Sequence, residues 1–519
     1  MGMVKLWSRL LGKKGWLLVI LAIPGASGVF ARAQDPNGPE VLAQGPIHEA
    51  FAAPVVFNPT PGVTVPNPPP TTQIEEQPPD QKPQGSNVDW IPGYWAFDDQ
   101  RGDYLWISGI WRDIPPGRQW VPGYWGQVEG GYRWTSGFWS PTSANGQMNY
   151  LPEPPQSLEA GPNTPQPAPG WFWSPGSWVW NENRFFWRPG YWVQSQPEWI
   201  WVPPSYAATP SGYVYIDGYW DYPMVRRGLP YAPVYFGAGF VGQPIVPYSP
   251  SIVLSVGGLT ANLFVRPAYG AYYFGNYYAS PGVGVMVGGV SVSVGFVPWF
   301  AYGQQRIGYE PLYVSMAAQN YRNPQWSRQI RTEYIYRVEH VEARPAATFA
   351  AQRVQLERAR AEGRDIRGME LAHPLNQSLE HPGEVHRMVA VPAHERAQIA
   401  QRQAAVREVT QNRARVENAA RGGAEVRAQD HRPQQIQVPR APQTAQHGST
   451  EPRSQNQALR SPPAHPEGHQ GFRPTMQGQA HREPASGQQH ADPRRTQQNS
   501  RAAHNEPKNN EREEHTKPR

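Results

Sequence analysis

The sequence predicts a mainly β protein: aromatic β-hairpin repeats, then a Gly/Val hairpin region, then a weakly helical to disordered tail. Three observations carry that reading. A tryptophan-rich unit recurs four times between Trp90 and Trp220. Alternating valines flank Gly-Gly steps between residues 223 and 320. Composition then shifts, and no tryptophan follows Trp326. Repetition in register decides architecture before any local pattern does.

Residues 1–33 read as a signal peptide. Lys5, Arg9, Lys13 and Lys14 form a basic start, Trp16 to Ile23 an apolar stretch, and Ala31-Arg32-Ala33 a small-residue cleavage site. The apolar run is too short for a bilayer, which needs roughly 20 apolar residues. No later segment approaches a membrane-spanning helix, so no transmembrane span is expected after cleavage. The chain has no cysteine. Disulfides, Cys-ligated zinc, thiol catalysis and a lipidated N-terminal cysteine are therefore excluded. The expected location is outside the cytoplasm: periplasm, cell surface or extracellular. Residues 34–86 read as a linker, because Pro66 to Pro70 and Gln77-Pro78-Pro79 favour extended polyproline backbone.

The repeat region spans residues 87–222, with a Pro-rich insert at 151–169. Each unit reads W-x-P-G-x-W, a spacer, then Y-x-W-x-x-G-x-W. The first holds Trp90, Gly93 and Trp95, then Trp106, Gly109 and Trp111. The second holds Trp120, Gly123 and Trp125, then Trp134, Gly137 and Trp139. The third holds Trp173, Gly176 and Trp178, then Trp187, Gly190 and Trp192. The fourth is degenerate, with Trp201, Pro204 and Tyr206, then Tyr215, Gly218 and Trp220, and reads as a cap. Seventeen of the 21 tryptophans lie here, so they must supply most of the buried area.

Aromatic residues punctuated by Gly and Pro predict β-hairpins. The spacing of five in W-x-x-G-x-W puts its two rings on opposite faces unless a bulge at the glycine restores one face. The two tryptophans of that half would then stack on each other across strands. Two strands per unit are too few for a standard propeller blade, so meander, sandwich and propeller-like arrays all stay open. Tyr94, Tyr124, Phe138, Tyr191 and Tyr219 flank the Gly-x-Trp steps on the other face. They are the candidates for exposed aromatic contacts with sugar rings, repeated for avidity.

On these motifs the chain resembles bacterial proteins catalogued by a YxWGxW or WxxGxW repeat, over Trp90 to Trp220. The resemblance implies an envelope-associated or secreted protein and does not define a biochemical activity. Pro92, Pro122 and Pro175 before the glycine, and Tyr206 and Tyr215 in place of Trp, depart from the usual pattern.

Residues 223–320 read as a Gly/Tyr/Val β-rich region. Ser251 to Val256, Gly257-Gly258 and Leu259 to Val265 suggest one hairpin. Val283 to Val287, Gly288-Gly289 and Val290 to Val294 suggest another. Four short strands fall below the eight an outer-membrane barrel needs. Residues 321–421 are a basic, partly helical segment. Ala346 to Glu362 and Ala393 to Ala420 are rich in helix formers but poor in apolar residues, which predicts exposed helices. Residues 422–519 are a Gln/Arg/His/Pro tail with too little apolar surface to offset ordering entropy. From Asn320 onward, 31 Lys+Arg against 22 Asp+Glu favour anionic envelope polymers as partners. The tail lacks the aromatic interleaving that specific nucleic-acid binding uses.

No nucleophile elbow, phosphate loop or tight metal-ligand spacing occurs. His394-Glu395 lacks the second histidine of a zinc site, and Gly282-x-Gly284 precedes a strand pattern rather than a helix. No cofactor, metal or catalytic residue is expected. The leading expectation is an exported, non-enzymatic envelope protein with a structural or adhesive role, touching glycan or wall polymer through aromatic faces. The alternatives are a scaffold whose tail recruits protein partners, and a hydrolase with an unrecognised site. Burial of the Gly-x-Trp rings favours the scaffold.

Overall fold

In a computed structural model of the chain, the described residues are 38–419 and the strand Gln434–Gln435. Residues 86, 238, 241, 279–283, 288–289, 294, 304–306 and 381–386 are excepted. All of these lie in one compact unit, residues 1–459; the second, 460–519, is outside the described residues.

Each tryptophan unit is one long antiparallel hairpin interrupted at a waist. In the first, Val88–Ile91 pairs with Ile110–Asp113, and Tyr94–Asp98 pairs with Asp103–Ile107. The strands break on both sides at once, at Pro92-Gly93 and Ser108-Gly109. The unit therefore yields four short strands rather than two. Register puts Trp90 opposite Trp111 and Trp95 opposite Trp106. The same pairing recurs as Trp120–Trp139 and Trp125–Trp134, then Trp173–Trp192 and Trp178–Trp187. The fourth unit pairs Trp201 with Trp220 and Tyr206 with Tyr215.

Ring centroids in these eight pairs lie 5.1–5.6 Å apart and the planes are steeply inclined. Edge-to-face geometry of this kind adds roughly 0.5–1.5 kcal/mol per pair beyond burial. The expected stacking of Trp106 on Trp111 within one half does not occur. A matched break in both strands leaves each ring facing its partner across the hairpin, so no single-strand bulge is needed.

Within the expected linker 34–86, the described residues 38–85 do not behave as a linker. Gly45–Pro46 pairs with Ala271–Phe274, and Thr64–Val65 pairs with Gly131–Thr135. Gln73–Glu76 runs parallel to Ile245–Tyr248, and Gln81–Pro83 pairs with Met388–Ala390. Leu42, Ile47, Phe51, Val65 and Ile74 are buried. Extended proline-rich backbone is already close to a strand, and apolar residues spaced along it are enough to seat it.

The main core gathers Phe51, Ile91, Ile110, Trp139 and Ile200 with Tyr272, Phe274, Trp299 and Tyr302. Units one and four are joined by a buried ion cluster. Arg112 Nη2 donates to both oxygens of Asp221 at 2.6 and 2.7 Å, and Arg227 reaches the same carboxylate at 3.1 Å.

In the Gly/Val region, Gly284–Val287 pairs with Val290–Ser293 as expected; the turn glycines Gly288-Gly289 lie outside the described residues. The other expected hairpin is different. Ile252–Leu254 leads into a helix, Val256–Asn262, and Leu263–Arg266 then pairs with Ala271–Phe274. Ser255 caps that helix by accepting from the Gly258 N–H at 3.2 Å, a local bond that outcompetes a Gly-Gly turn. No barrel closes among the described residues.

The C-terminal part holds Gln325–Glu339, Phe349–Ala361 and the 27-residue helix Ala393–Ala419. The last was expected to be exposed. Instead Ile399, Gln403, Val409, Arg413 and Glu417 are buried along one stripe. Much of that stripe is polar and is seated by hydrogen bonds. No helix among the described residues is long and apolar enough to cross a membrane.

Candidate functional site

The waist of each unit is where the repeat does something specific. Both strands lose their ladder there, which frees backbone N–H groups that need acceptors. The tryptophan rings close over the gap. A Cβ on Gly109 would lie 2.4 Å from Trp90 Cζ2 and 2.7 Å from the Ile91 carbonyl. One on Gly137 would meet Trp120 Cζ2 and the Val121 carbonyl at the same two distances. Only glycine allows this approach.

A glutamate from outside the repeat fills each of the first three waists. In unit one, Gly93 N–H and Gly109 N–H donate to Glu76 Oε2 at 3.3 and 2.9 Å, and Trp106 Nε1–H donates to Glu76 Oε1 at 3.2 Å. In unit two, Gly137 N–H donates to Glu49 Oε1 at 2.9 Å and Trp134 Nε1–H to Glu49 Oε2 at 3.2 Å. In unit three, Gly176 N–H and Trp173 Nε1–H donate to the two oxygens of Glu159, the latter at 3.0 Å. In units one and two the indole and its glycine amide come from the second half, Trp106 with Gly109 and Trp134 with Gly137; in unit three they come from the first half, Trp173 with Gly176.

The fourth unit is the internal contrast. Pro204 replaces the first glycine and has no N–H to offer. No described carboxylate enters that waist. Trp201 Nε1–H donates to Ser174 Oγ at 2.9 Å, and Arg118 donates to the Asp217 and Gly218 carbonyls.

Burial dominates the electrostatics. It pushes the carboxyls of Glu49 and Glu76 up to about 7, against the opposing pull of their N–H donors. Glu310 is likewise raised to about 7 by burial; it accepts from the Tyr272 hydroxyl and the Tyr313 amide. His48 is lowered to about 4 by burial, and its ring lies 3.1 Å from the Pro92 carbonyl.

The long helix clasps two waists from outside. Arg413 donates to the Pro122 and Ser136 carbonyls of unit two at 2.8 and 3.1 Å and to Glu417 at 2.9 Å. The Tyr124 and Tyr150 hydroxyls donate to the same Glu417. Gln403 donates to the Glu76 carbonyl at 2.8 Å. Beneath the helix lies a cavity of about 330 Å³ lined by Glu49, Glu76, Tyr94, Trp106 and Trp134.

The candidate contact residues do not form an exposed aromatic face. Tyr124 and Phe138 are buried under Arg413, which lies over both rings. Tyr94 stacks on Trp134 at 4.9 Å and accepts from the Glu49 amide. Tyr191 and Tyr219 are half-buried, and Tyr219 carries Arg118 over its ring. None of the tryptophans that define the repeat is exposed. Unit three is the most open: Trp173, Trp178, Trp187 and Trp192 are all half-buried, and Phe186 is 40% exposed.

The three waist glutamates were missed from sequence. They sit in segments outside the hairpins, Glu159 in the repeat region's own insert, and only the unsatisfied N–H groups implied by paired glycines could have pointed to them.

Comparison with known proteins agrees with this architecture. The WXXGXW repeat (2 copies) matches residues 85–112, 169–193 and 211–224, which cover units one and three and the closing strands of unit four. The chain thus contains WXXGXW repeats in these three stretches. No curated protein and no solved structure matches it.

Proposed function

We propose that this chain is a non-catalytic scaffold protein of the cell envelope. The carrying observation is that the repeat tryptophans spend their faces on one another, and that indole N–H groups such as those of Trp106, Trp134 and Trp173 go to internal acceptors while those of Trp90 and Trp111 are buried without one. Such rings build a stiff frame rather than a row of sugar platforms. The basic start, apolar stretch and Ala-x-Ala site support export, and the excess of Lys and Arg after Asn320 supports salt-sensitive contact with anionic envelope polymers.

A second reading, glycan contact, is favoured by one feature only. The tip of unit three presents Phe186 with Arg184 over its ring at 4.5 Å, beside the Trp180–Phe185 pair at 4.7 Å. The test is co-sedimentation of the exported chain with isolated cell-wall material across a salt series. The scaffold reading expects retention that disappears by about 0.5 M salt, where the Debye length falls to a few ångströms. Retention that survives high salt and is lost in Phe186→Ala would replace it with the glycan reading. A chain found wholly in the cytoplasm on fractionation would sink the envelope assignment.

A further inference from the structure

Units one and three hold more than a carboxyl group. Each grips a proline-rich stretch of chain at two points or more; in unit three that stretch turns at Gly161, whose φ is +94° and whose N–H donates to Glu159 Oε1 at 2.7 Å. In unit one, residues 72–76 follow Pro68-Pro69-Pro70. Trp95 Nε1–H donates to the Thr72 carbonyl at 3.3 Å, and the waist takes Glu76. In unit three, residues 156–164 follow Pro154-Pro155. Trp178 Nε1–H, the counterpart of Trp95, donates to the Gln156 carbonyl at 3.0 Å. The waist takes Glu159, and Trp192 Nε1–H donates to the Thr164 carbonyl at 3.2 Å.

Two segments of different sequence are thus held through one corresponding indole, Trp95 or Trp178, with a glutamate four residues after one anchoring carbonyl and three after the other; the waist indole comes from opposite halves, Trp106 in unit one and Trp173 in unit three. Proline-rich backbone suits such recognition because little conformational entropy is lost on docking. Carbonyls accepting from indoles position the segment, and the carboxylate supplies charge-assisted specificity.

The two units differ in access. Glu76 is 1% exposed, and the long helix covers its backbone. Glu159 is half-buried, Leu158 beside it is 59% exposed, and the Trp178 and Trp192 bonds to the insert lie at the surface.

We propose that the third tryptophan unit is a receptor for a proline-rich peptide bearing a glutamate. Its own insert occupies the site in cis, and the same insert from a second copy of the chain can occupy it in trans. The glutamate enters between Gly176 N–H and Trp173 Nε1–H, and Trp178 and Trp192 hold the flanking carbonyls. This inference stands apart from the envelope role, since it concerns what the unit recognises and not where the protein resides.

The test uses the full chain with residues 153–165 replaced by a Gly/Ser stretch of equal length, and a synthetic peptide of residues 152–166. Circular dichroism first establishes that the variant folds. Calorimetric titration is expected to show binding of the glutamate peptide and at least about tenfold weaker binding when Glu159 is replaced by Gln, since a hydrogen-bonded charge is lost. A folded variant that binds neither peptide, or both equally, overturns the proposal. Should the replacement not fold, the otherwise intact chain carrying Glu159→Gln decides. Amide exchange at residues 157–161 is expected to quicken about tenfold or more while units one and two stay unchanged. Unaltered exchange there overturns the proposal equally.

Discussion

At the residue scale, the account turns on glycines that admit a carboxyl group. Gly137 shows the constraint most sharply. A methyl there would sit 2.8 Å from Glu49 Oε1 as well as against Trp120 and the Val121 carbonyl, all of them held in place. Gly137→Ala is expected to destabilise the fold by about 2–3 kcal/mol, as overpacking does. Gly239 is exposed, with nothing within 4 Å of its Cβ position. Its alanine variant is expected to stay within about 0.5 kcal/mol of the parent in urea denaturation. The repeat glycines were legible in sequence as special positions, because Gly at a fixed offset from Trp has no packing role of its own. Their purpose was not legible. A bulge, which explains one strand, was the natural expectation, and a break shared by two strands needs the pairing register to be seen.

At the scale of elements, hairpins were legible and their partners were not. Trp, Tyr and Gly at period two and in register predict strand, and every unit forms one hairpin. The described residues 38–85 and the helix Ala393–Ala419 were misread for related reasons. In the first, proline masks strand character. In the second, the buried stripe runs Gln403, Arg413 and Glu417, and a hydrophobic pattern cannot register polar side chains that are buried because they are bonded. Arg413 and Glu417 are both fully buried. Arg413→Ala would leave Glu417 without its cation and the Pro122 and Ser136 carbonyls without a donor. The expected cost is about 3 kcal/mol. Limited proteolysis should then release the helix from unit two well before the repeats open.

At the scale of the whole molecule, the frame is closed by residues that lie outside its hairpins. Glu49, Glu76 and Glu159 each close a unit they do not belong to, and Arg112 and Asp221 join the first unit to the fourth. One consequence is a pH dependence with a definite sign. Glu49, Glu76 and Glu310 have folded-state values near 7, above their ordinary 4.5. Between those limits the folded state holds protons that the unfolded state has released, so stability falls as pH rises from about 4.5 to 7. His48 acts oppositely between about 4 and 6.5, because it stays neutral in the fold while the unfolded chain is protonated. Three carboxyls outweigh one imidazole, so denaturation midpoints should decline across this window. Glu76→Gln removes one titrating group and is expected to flatten the slope; a slope unchanged by it would mean that Glu76 does not titrate there.

The central claim is that a glutamate from outside the hairpin closes each of the first three waists. The most direct measurement compares Glu76→Ala with Glu129→Ala, an exposed glutamate in the turn of unit two. Both are followed by urea denaturation and by amide hydrogen exchange at Gly93 and Gly109. Glu76→Ala orphans two amides and the Trp106 indole, and is expected to cost about 2–4 kcal/mol. Exchange at both glycines should accelerate, while Glu129→Ala leaves stability and exchange as they are. If Glu76→Ala behaves like Glu129→Ala, the waist does not depend on its carboxyl group and the account is wrong.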